Sequence, residues 1–397
     1  MYAEEKIMRK SYHIIGISVA MLFTANFLCS CSTVSETKAV PSVSADSQAQ
    51  AISINAVITK HSKYDVAALD LGPEDLTKAG FSLGDSIDVV FSNGATLTDI
   101  PYYNGYYVKI GEPVIVAYPG DDYALIAYNF GDLWTDLDLS NGMTAKLTLN
   151  TSEKYLATSE ALGKTYSLDR SDYTSDEQFA NFRAVKGGNL KENYLYRGAS
   201  PVDNSKGRVA YANALIEKYN ISCIIDLADS DEDMTSYFED TDFDSDYAQK
   251  LYENGKTAVL DLSASYTKDE YKQQVVKGLE KLLEAKGPAY IHCLEGKDRT
   301  GFVCALIEAL AGASYAEMLE DYMITYANYY GVTADGTPDQ YEAIASLNFD
   351  SFWEFLSGKS NIAALPTIEF TDYARQYLMD GGMNEAEIDE LLAVITE

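Results

Sequence analysis

The sequence is poor in cysteine, histidine and basic residues, and each shortage excludes a class of protein. Five cysteines in 397 residues exclude a small scaffold held together by many disulfides. Three histidines leave little material for a histidine-rich metal site. Thirty Lys and Arg against 61 Asp and Glu give a formal charge of −31, which argues against a nucleic-acid partner. We therefore expect no nucleic acid, no metal and no cofactor.

The remaining composition is that of a folded protein. Hydrophobic residues make up 47% and charged residues 23%, which excludes wholesale disorder. The length suffices for two to three domains of about 150 residues each. The composition and the hydrophobic pattern change near residues 50 and 168, so the chain divides into three regions.

The first region has the pattern of an export signal followed by a linker. A basic cluster precedes an apolar run, Ile14–Leu28, which is too short for an ordinary transmembrane helix. The run ends in Leu28-Cys29-Ser30-Cys31, which resembles the lipobox of bacterial lipoproteins and implies lipidation of Cys31. An ordinary secretory signal and a short uncleaved anchor remain alternatives. We expect a signal peptide over 1–30, a flexible tether over 31–50, and a lipoprotein on the extracytoplasmic face of a bacterial membrane.

The second region, 51–167, has short alternating segments separated by turn residues such as Asn104-Gly105 and Asn141-Gly142. This pattern predicts a separate all-β accessory domain, either a barrel or a sandwich. Its role is open. The predicted strands are Ile52–Ile58, Ser86–Phe91, Ala95–Ile100, Tyr106–Ile110, Val114–Tyr118, Tyr123–Tyr128 and Met143–Leu149.

The third region, 168–397, alternates strands with amphipathic helices, which predicts an α/β domain with a central, mostly parallel sheet and flanking helices. The predicted strands are Ser222–Leu227, Thr257–Leu262 and Ala289–Cys293. The predicted helices are Gly207–Asn220, Lys268–Lys286, Phe302–Ala311, Tyr315–Tyr330, Pro338–Leu347, Phe349–Leu356, Asp372–Asp380 and Glu385–Ile395. The last helix has a capping-box variant, in which Asn384 precedes Glu387 by three residues.

The third predicted strand ends in a cysteine, and a glycine-containing loop with an arginine leads into the next helix. Backbone N–H groups in such a loop, together with the helix N-terminus, attract a phosphate group. Arg299 adds a planar, two-pronged donor. The same field favours the thiolate of Cys293, which makes it a nucleophile. The predicted phosphate-binding residues are Leu294, Glu295, Gly296, Lys297, Asp298 and Arg299.

The segment His292–Gly301 resembles the cysteine-x5-arginine loop of the protein tyrosine phosphatase superfamily. Its form, HCxxGKDRTG, resembles that of the bacterial tyrosine phosphatase family that includes secreted mycobacterial and Listeria enzymes acting on tyrosines and lipids. The resemblance spans about 179–397. Asn181–Arg183 and Leu195–Arg197 resemble the opening segments of that family, whereas Ala228 stands where the family has an arginine.

The chemistry of the superfamily requires a nucleophile, an acid and a leaving-group aid. Cys293 is expected to attack phosphorus and to form a phosphocysteine intermediate. Thr300 can donate its hydroxyl to the sulfur. A carboxylic acid must protonate the departing oxygen. The resemblance implies Asp298 within the loop, and Asp226, at the end of a neighbouring strand, is the second candidate.

The sequence also suggests roles for residues around the loop. His292 is expected to orient the loop rather than to act as a base, and Cys223 and Cys304 are expected to be core thiols. Lys297 either contacts a second phosphate or acidic group of the substrate or is a solvated surface charge. The acidic segment from Asp226 to Asp246 is either a lid over the site or a solvated loop.

These expectations favour a cysteine-dependent phosphoric monoester hydrolase, most simply a protein-tyrosine phosphatase. A phosphoinositide or inositol phosphate phosphatase is the alternative, so the substrate is either a phosphorylated protein or a phosphorylated lipid or inositol. Two further alternatives are a surface lipoprotein that binds phosphorylated ligands without turnover, and rhodanese-type sulfur transfer, which the Arg-Thr-Gly exit of the loop disfavours. The oligomeric state is open.

Overall fold

The computed structural model describes residues 52–239, 245–262, 266–285, 287–360, 362 and 367–397. The predicted signal, the tether and Cys31 lie outside the described residues, as do residues 240–244 of the acidic segment. All described residues belong to one compact unit. None of the helices within these ranges is both long enough and apolar enough to cross a membrane.

Seven strands close into a barrel in the order β1-β2-β6-β5-β4-β3-β7. All neighbouring pairs are antiparallel except β4 with β5, which run parallel. Side chains alternate between the interior and solvent: on β1, Ala56 and Ile58 are buried, whereas Val57 between them is 40% exposed. The strands are β1 Ser53–Lys60, β2 Ala67–Leu69, β3 Ser86–Phe91, β4 Thr96–Tyr103, β5 Pro113–Val116, β6 Leu125–Tyr128 and β7 Thr144–Thr151.

The barrel confirms the prediction of an all-β domain in this part of the chain, but one predicted strand is wrong. Tyr106–Ile110 alternates like a strand, yet it pairs with no neighbour in the described sheets. Because β4 and β5 are parallel, the chain between them must return to the other end of the barrel. Residues 104–112 are that return connection.

Five further strands form a second sheet in the order β11-β10-β12-β9-β8. The pairs β10 with β11, β10 with β12, and β12 with β9 are parallel, and β8 with β9 is antiparallel. The ends of β9, β10 and β12 therefore lie at one edge, where a loop after one strand can meet loops after its neighbours. The strands are β8 Arg183–Ala184, β9 Leu195–Gly198, β10 Cys223–Asp226, β11 Thr257–Val259 and β12 Ala289–His292.

The first three helices belong to the barrel region of the chain, and the remaining helices belong to the region of the second sheet. They are α1 Pro73–Ala79, α2 Leu133–Asp136, α3 Leu156–Leu162, α4 Asp176–Phe179, α5 Val209–Lys218, α6 Asp231–Phe238, α7 Asp246–Glu253, α8 Asp269–Leu283, α9 Asp298–Leu310, α10 Tyr315–Tyr330, α11 Pro338–Ile344, α12 Ser351–Ser357, α13 Thr367–Asp380 and α14 Glu385–Ile395, with a π-helical turn Ala345–Asp350 joining α11 to α12.

Two helix termini bear on the sequence predictions. The capping box of α14 is confirmed, because Asn384 Oδ1 accepts from the Glu387 N–H at 3.1 Å and Glu387 Oε2 accepts from the Asn384 N–H at 2.8 Å. Helix α9 begins at Asp298, four residues before the predicted start at Phe302. The apolar pattern could not reveal its polar first turn. That turn contains Arg299, which places the arginine inside the helix N-terminus.

Helix α9 is the centre of the α/β core. Every residue from Thr300 to Leu310 is buried, which is why its sequence is apolar almost all round. Cys304 lies on this helix and Cys223 on β10, and burial raises the pKa of their thiols to about 12 and about 11. Both thiols are therefore protonated at neutral pH, in keeping with their expected role as core residues.

Candidate active site

The predicted phosphate loop lies between the end of β12 and the start of α9. Cys293 follows β12 directly and is 4% exposed. Helix α9 runs for 13 residues from Asp298, so its N-terminal end faces the loop that precedes it. A dianion held in this loop would lie at the positive end of a buried helix.

Gly296 allows the loop to pack tightly against β9. Its φ of +67° lies in the left-handed region, and an added Cβ would lie 2.2 Å from the carbonyl oxygen of Gly198. No side chain fits at that distance. The glycine that the sequence motif places here is therefore required both by backbone conformation and by space.

Side chains behind the loop hold its carbonyl groups. Asn181 Nδ2 donates to the carbonyl oxygens of Glu295 and Gly296, at 3.3 and 3.2 Å. Tyr329 Oη donates to the same Glu295 oxygen at 2.8 Å, and Arg197 Nη2 to that of Gly296 at 3.0 Å. Because the peptide group is planar, these bonds also fix the orientation of the loop amides.

A buried ion-pair network holds those side chains in turn. Arg183 Nε and Arg197 Nη1 donate to the two carboxylate oxygens of Asp321, at 2.8 and 2.5 Å. Both arginines belong to the segments that resemble the opening of the phosphatase family. In the structure these segments form the support of the phosphate loop, which explains why they accompany the loop motif.

Arg299 is aimed at the loop by a backbone contact. Its Nη1 donates to the carbonyl oxygen of Leu262 at 3.0 Å, in the segment that follows β11. Burial acts to lower the pKa of Arg299, but the charges of several neighbouring groups, Cys293 first among them, together outweigh it, and the pKa is raised. The guanidinium is therefore a permanent cation, and Cys293 lies within its electrostatic reach.

Thr300 follows Arg299 and is fully buried. Its Oγ1 has no hydrogen-bond partner among the described residues. A buried hydroxyl without a hydrogen-bond partner costs folding free energy, and a role in catalysis is one explanation for keeping it. This is compatible with its predicted role as donor to the sulfur of Cys293.

Asp226 and His292 are buried neighbours at the ends of β10 and β12, beside the loop. Asp226 is fully buried, and its Oδ1 accepts from the backbone N–H groups of Ala228 and Asp229, at 2.9 and 3.2 Å. Its Oδ2 lies 3.9 Å from His292 Nε2. Burial is the main cause that raises the pKa of Asp226 to about 6 and lowers that of His292 to about 4. The imidazole is therefore neutral at neutral pH, as its expected orienting role requires.

Two aspartates that sequence reasoning missed lie at the same edge of the sheet. Asp229 is 6% exposed, and burial, followed by the charge of Asp226, raises its pKa to about 8. Asp261 precedes Leu262, the residue that binds Arg299, and its N–H donates to the Asp229 carbonyl oxygen at 3.0 Å. Nothing in the local sequence distinguishes them from their acidic neighbours, because parallel strand pairing brings them to the site.

Lys297 and Asp298 complete the loop. Lys297 Nζ lies 3.7 Å from both Glu295 Oε2 and Asp298 Oδ2. The side chain of Lys297 is only 19% exposed, and its ammonium lies over the rings of Tyr326 and Tyr330. It is therefore a packed, paired cation and not a solvated one. The Asp298 side chain is 49% exposed, so solvent reaches its carboxylate.

The acidic segment is partly helical. Ser230 caps α6 with a capping box, in which Ser230 Oγ accepts from the Asp233 N–H at 3.1 Å. Met234 on this helix is buried. Of the two expectations for this segment, a solvated loop is wrong for 231–238, and a lid stays a prediction because residues 240–244 lie outside the described part.

Comparison with known proteins assigns the C-terminal part of the chain. The model of the family described as "Tyrosine phosphatase family" matches residues 177–397, more than half of the chain. No curated protein sequence matches the chain. Among solved structures, it is similar to the core catalytic domain of the PP-IP phosphatase SIW14 from S. cerevisiae, solved with citrate, at 17% identity and a TM-score of 0.24, covering 46% of this chain and 99% of that one. It is also similar to P. aeruginosa TpbA, at 19% identity and a TM-score of 0.22, covering 38% of this chain and 88% of that one.

Proposed function

The chain belongs to the tyrosine phosphatase family, and from this premise we propose that it is a protein-tyrosine phosphatase that works through a cysteinyl-phosphate intermediate. One observation carries the proposal: a nearly buried Cys293 directly follows β12 in the loop that leads into the N-terminal end of α9, within electrostatic reach of Arg299. A structural cysteine in a core would need neither the arginine nor a loop whose carbonyls are held by three side chains.

The proposed reaction has two steps. In the first, the thiolate of Cys293 forms a bond to phosphorus while the bond from phosphorus to the leaving oxygen breaks, and Asp298 gives that oxygen a proton. In the second, the Asp298 carboxylate takes a proton from water, the water oxygen attacks phosphorus, and the sulfur leaves with help from Thr300. The loop amides and Arg299 hold the remaining oxygens as charge develops on them.

Asp298 is proposed as the proton donor because of its position. The leaving oxygen points away from the sulfur, so the acid must lie at the mouth of the site. Asp298 is half exposed at the start of α9, whereas Asp226 is fully buried and accepts two backbone hydrogen bonds. Asp226, the second candidate, is better suited to hold the turn after β10.

The test compares the full chain with Cys293→Ser on three substrates: a phosphotyrosine peptide, p-nitrophenyl phosphate and an inositol phosphate. We expect turnover of both aryl phosphates and a loss of at least about 10³-fold in Cys293→Ser. Faster turnover of the inositol phosphate would favour the phosphoinositide alternative. Binding of the peptide without turnover at any pH would favour a non-catalytic lipoprotein, and either result would refute the proposal.

We further propose that the protein is anchored through lipid on Cys31, on the extracytoplasmic face of a bacterial membrane. The proposal is supported by the sequence pattern of residues 1–31 alone. Labelling with a fatty acid should disappear in Cys31→Ala, and a label that persists would refute the anchor.

A further inference from the structure

Three segments of the barrel lie towards the edge of the sheet that carries the phosphate loop. They are called here the barrel rim and comprise residues 61–66, 104–110 and 117–123. Lys63 of the rim donates to the carbonyl oxygen of Ala228 at 3.1 Å and pairs with Asp261 Oδ1 at 3.5 Å. Ala228 follows β10 and Asp261 follows β11, so the rim contacts both loops that flank the phosphate loop on that side.

The barrel is also attached to helix α12. Lys109 Nζ lies 2.9 Å from Glu354 Oε2, and the Ile110 N–H donates to Ser351 Oγ at 2.5 Å. A third attachment is the stack of Phe130 on Tyr266, with ring centroids 4.0 Å apart. With these three attachments the barrel is held in place and is not a loosely tethered domain.

Tyr266 links this stack to the catalytic helix. Its other face stacks on Phe302 of α9, with centroids 4.1 Å apart and planes 15° from parallel. Tyr266 and Phe302 are both fully or almost fully buried. The barrel is thus connected through two aromatic layers to the helix whose N-terminus forms the phosphate cradle.

The rim is rich in tyrosine at the point where it faces the loop. His61 stacks on Tyr64 with centroids 5.0 Å apart, and Tyr123 Oη lies 3.5 Å from His61 Nε2. Tyr118 is 42% exposed and Tyr123 is 37% exposed, so they offer free ring surface. The remaining rim tyrosines, Tyr106 and Tyr107, are partly buried beside them.

The charges of the phosphate loop act on these rings. Although 42% of Tyr118 is exposed, the protein around its hydroxyl raises its pKa, and the charges of Lys297 and Asp298 also act on it. Tyr64 in turn is one of the groups that raise the pKa of Arg299. These effects agree with the contacts of Lys63, the neighbour of Tyr64, which hold the rim against the loops after β10 and β11.

We propose that the barrel rim forms one wall of the substrate cleft and that Tyr64 and Tyr118 pack against the aromatic ring of an aryl phosphate such as a phosphotyrosine side chain. Aromatic rings attract each other in offset or edge-to-face arrangements, so a wall of tyrosines suits a ring next to the bound phosphate. This inference rests on the proposed function and assigns a role to residues 51–167.

The charges around the site argue for a ring and against a polyphosphorylated ligand. Lys63 is paired with Asp261, and Lys297 lies between Glu295 and Asp298. A second or third phosphate group would need further cations that are free to bind it. Lys63 and Lys297 are thus already occupied by carboxylates, and Lys206, whose pKa burial lowers, is the lysine left for a second phosphate group.

The test measures Tyr118→Ala and Tyr64→Ala in the full chain with a phosphotyrosine peptide. We expect KM to rise about tenfold, and kcat to change little, because a lost ring contact weakens binding. Inhibition by inorganic phosphate should not change, since phosphate reaches only the loop. Phe355→Ala removes an aromatic side chain of similar exposure, 47%, outside the rim and serves as the control. Tyr118→Phe keeps the ring and should raise KM for the peptide less than Tyr118→Ala does.

Two results would overturn the inference. If KM for the peptide stays the same in both alanine variants, the rim does not touch the substrate, although the wild-type activity would leave the proposed function standing. If inhibition by inorganic phosphate weakens as much as peptide binding does, the substitutions have distorted the loop and the wall is not specific for the ring. Failure of wild type to hydrolyse the peptide refutes the proposed function and is seen before any variant is made.

Discussion

Three aspartates in or near the phosphate loop differ in how deeply they are buried, and burial distinguishes the roles that each can take. Asp226 is fully buried and holds two backbone amides, Asp229 is nearly buried with a raised pKa, and Asp298 is half exposed at the start of α9. A proton donor must reach the leaving oxygen of the substrate. Position therefore favours Asp298, whereas the raised pKa would favour Asp229.

Leaving-group dependence distinguishes the two. If Asp298 is the donor, Asp298→Asn should lower kcat on the order of 10²-fold for phenyl phosphate and much less for p-nitrophenyl phosphate, whose leaving group needs no proton. Asp229→Asn and Asp261→Asn should affect both substrates equally. Steady-state kinetics on the two esters provide the measurement. Finding the leaving-group effect in Asp229→Asn instead would transfer the role to Asp229.

The raised pKa of Asp229 also predicts how stability depends on pH. Its pKa is about 8 in the folded protein, against 3.8 ordinarily, so the folded state holds the proton more tightly than the unfolded state. The resulting stability is fully present below about pH 4 and is lost as pH rises through 8. Asp229→Asn cannot ionise, so its melting temperature should fall less than that of wild type between pH 5 and 9. If the melting temperatures of the two proteins fall by the same amount between pH 5 and 9, the Asp229 carboxyl is not buried as described.

Which site residues the sequence could reveal depends on whether they are contiguous. Cys293, Asp298 and Arg299 lie within seven residues, and the chemistry of that segment is visible without a fold. Asp261 and Tyr118 reach the site through strand pairing and through the contact between barrel and sheet, and neither leaves a local signal. The sequence therefore predicts the candidate reacting groups, whereas the residues that the fold brings beside them have no local signal in it.

At the scale of elements, prediction succeeded where one periodic pattern decides the structure. The bounds of α10 and α14 agree with the predicted ones, since each has a long amphipathic stripe and a capping box. Prediction failed where contacts with other segments of the chain decide the structure. Tyr106–Ile110 has the alternation of a strand but runs as a return connection, and the predicted break after Leu347 is bridged by a π-helical turn. Helix α1 was missed, although Pro73 at its first position was a usable signal.

The packing of the phosphate loop against β9 makes a prediction about Gly296. Gly296→Ala places a Cβ 2.2 Å from the Gly198 carbonyl oxygen and forces the loop outward. We expect destabilisation of about 2 kcal/mol or more and a loss in kcat/KM on the order of 10²-fold, because small displacements of positioned groups are costly. Urea unfolding and aryl phosphate kinetics measure the two effects.

Gly255 offers a matched control for that substitution. Its φ of +65° is nearly that of Gly296, but no atom lies within 4 Å of its added Cβ. Gly255→Ala therefore carries only the cost of the left-handed backbone, about 1 kcal/mol, and should keep full activity. Equal losses in the two variants would mean that backbone strain, and not the contact with β9, explains the effect.

At the scale of the whole molecule, the charge of −31 opposes the approach of any phosphorylated substrate. Within the loop itself, Lys297 and Arg299 only balance Glu295 and Asp298, so net charge does not attract the phosphate. The attraction must come from aimed amides, the N-terminus of α9 and the Arg299 fork, all of which act over a few ångströms. The acidity therefore argues against a polyanionic partner recognised over a wide surface, while a single phosphate group remains compatible.

This division between a repelling surface and an attracting loop predicts opposite salt effects on two peptides. Raising the ionic strength from about 10 mM to 150 mM shortens the screening length from roughly 30 Å to 8 Å. It should leave the contacts inside the loop nearly unchanged while weakening the long-range field. KM should fall several-fold for a phosphotyrosine peptide flanked by Glu, and rise for the same peptide flanked by Lys. A neutral-flanked peptide controls for general salt effects on the enzyme, and the same response from all three would mean that the surface charge does not reach the site.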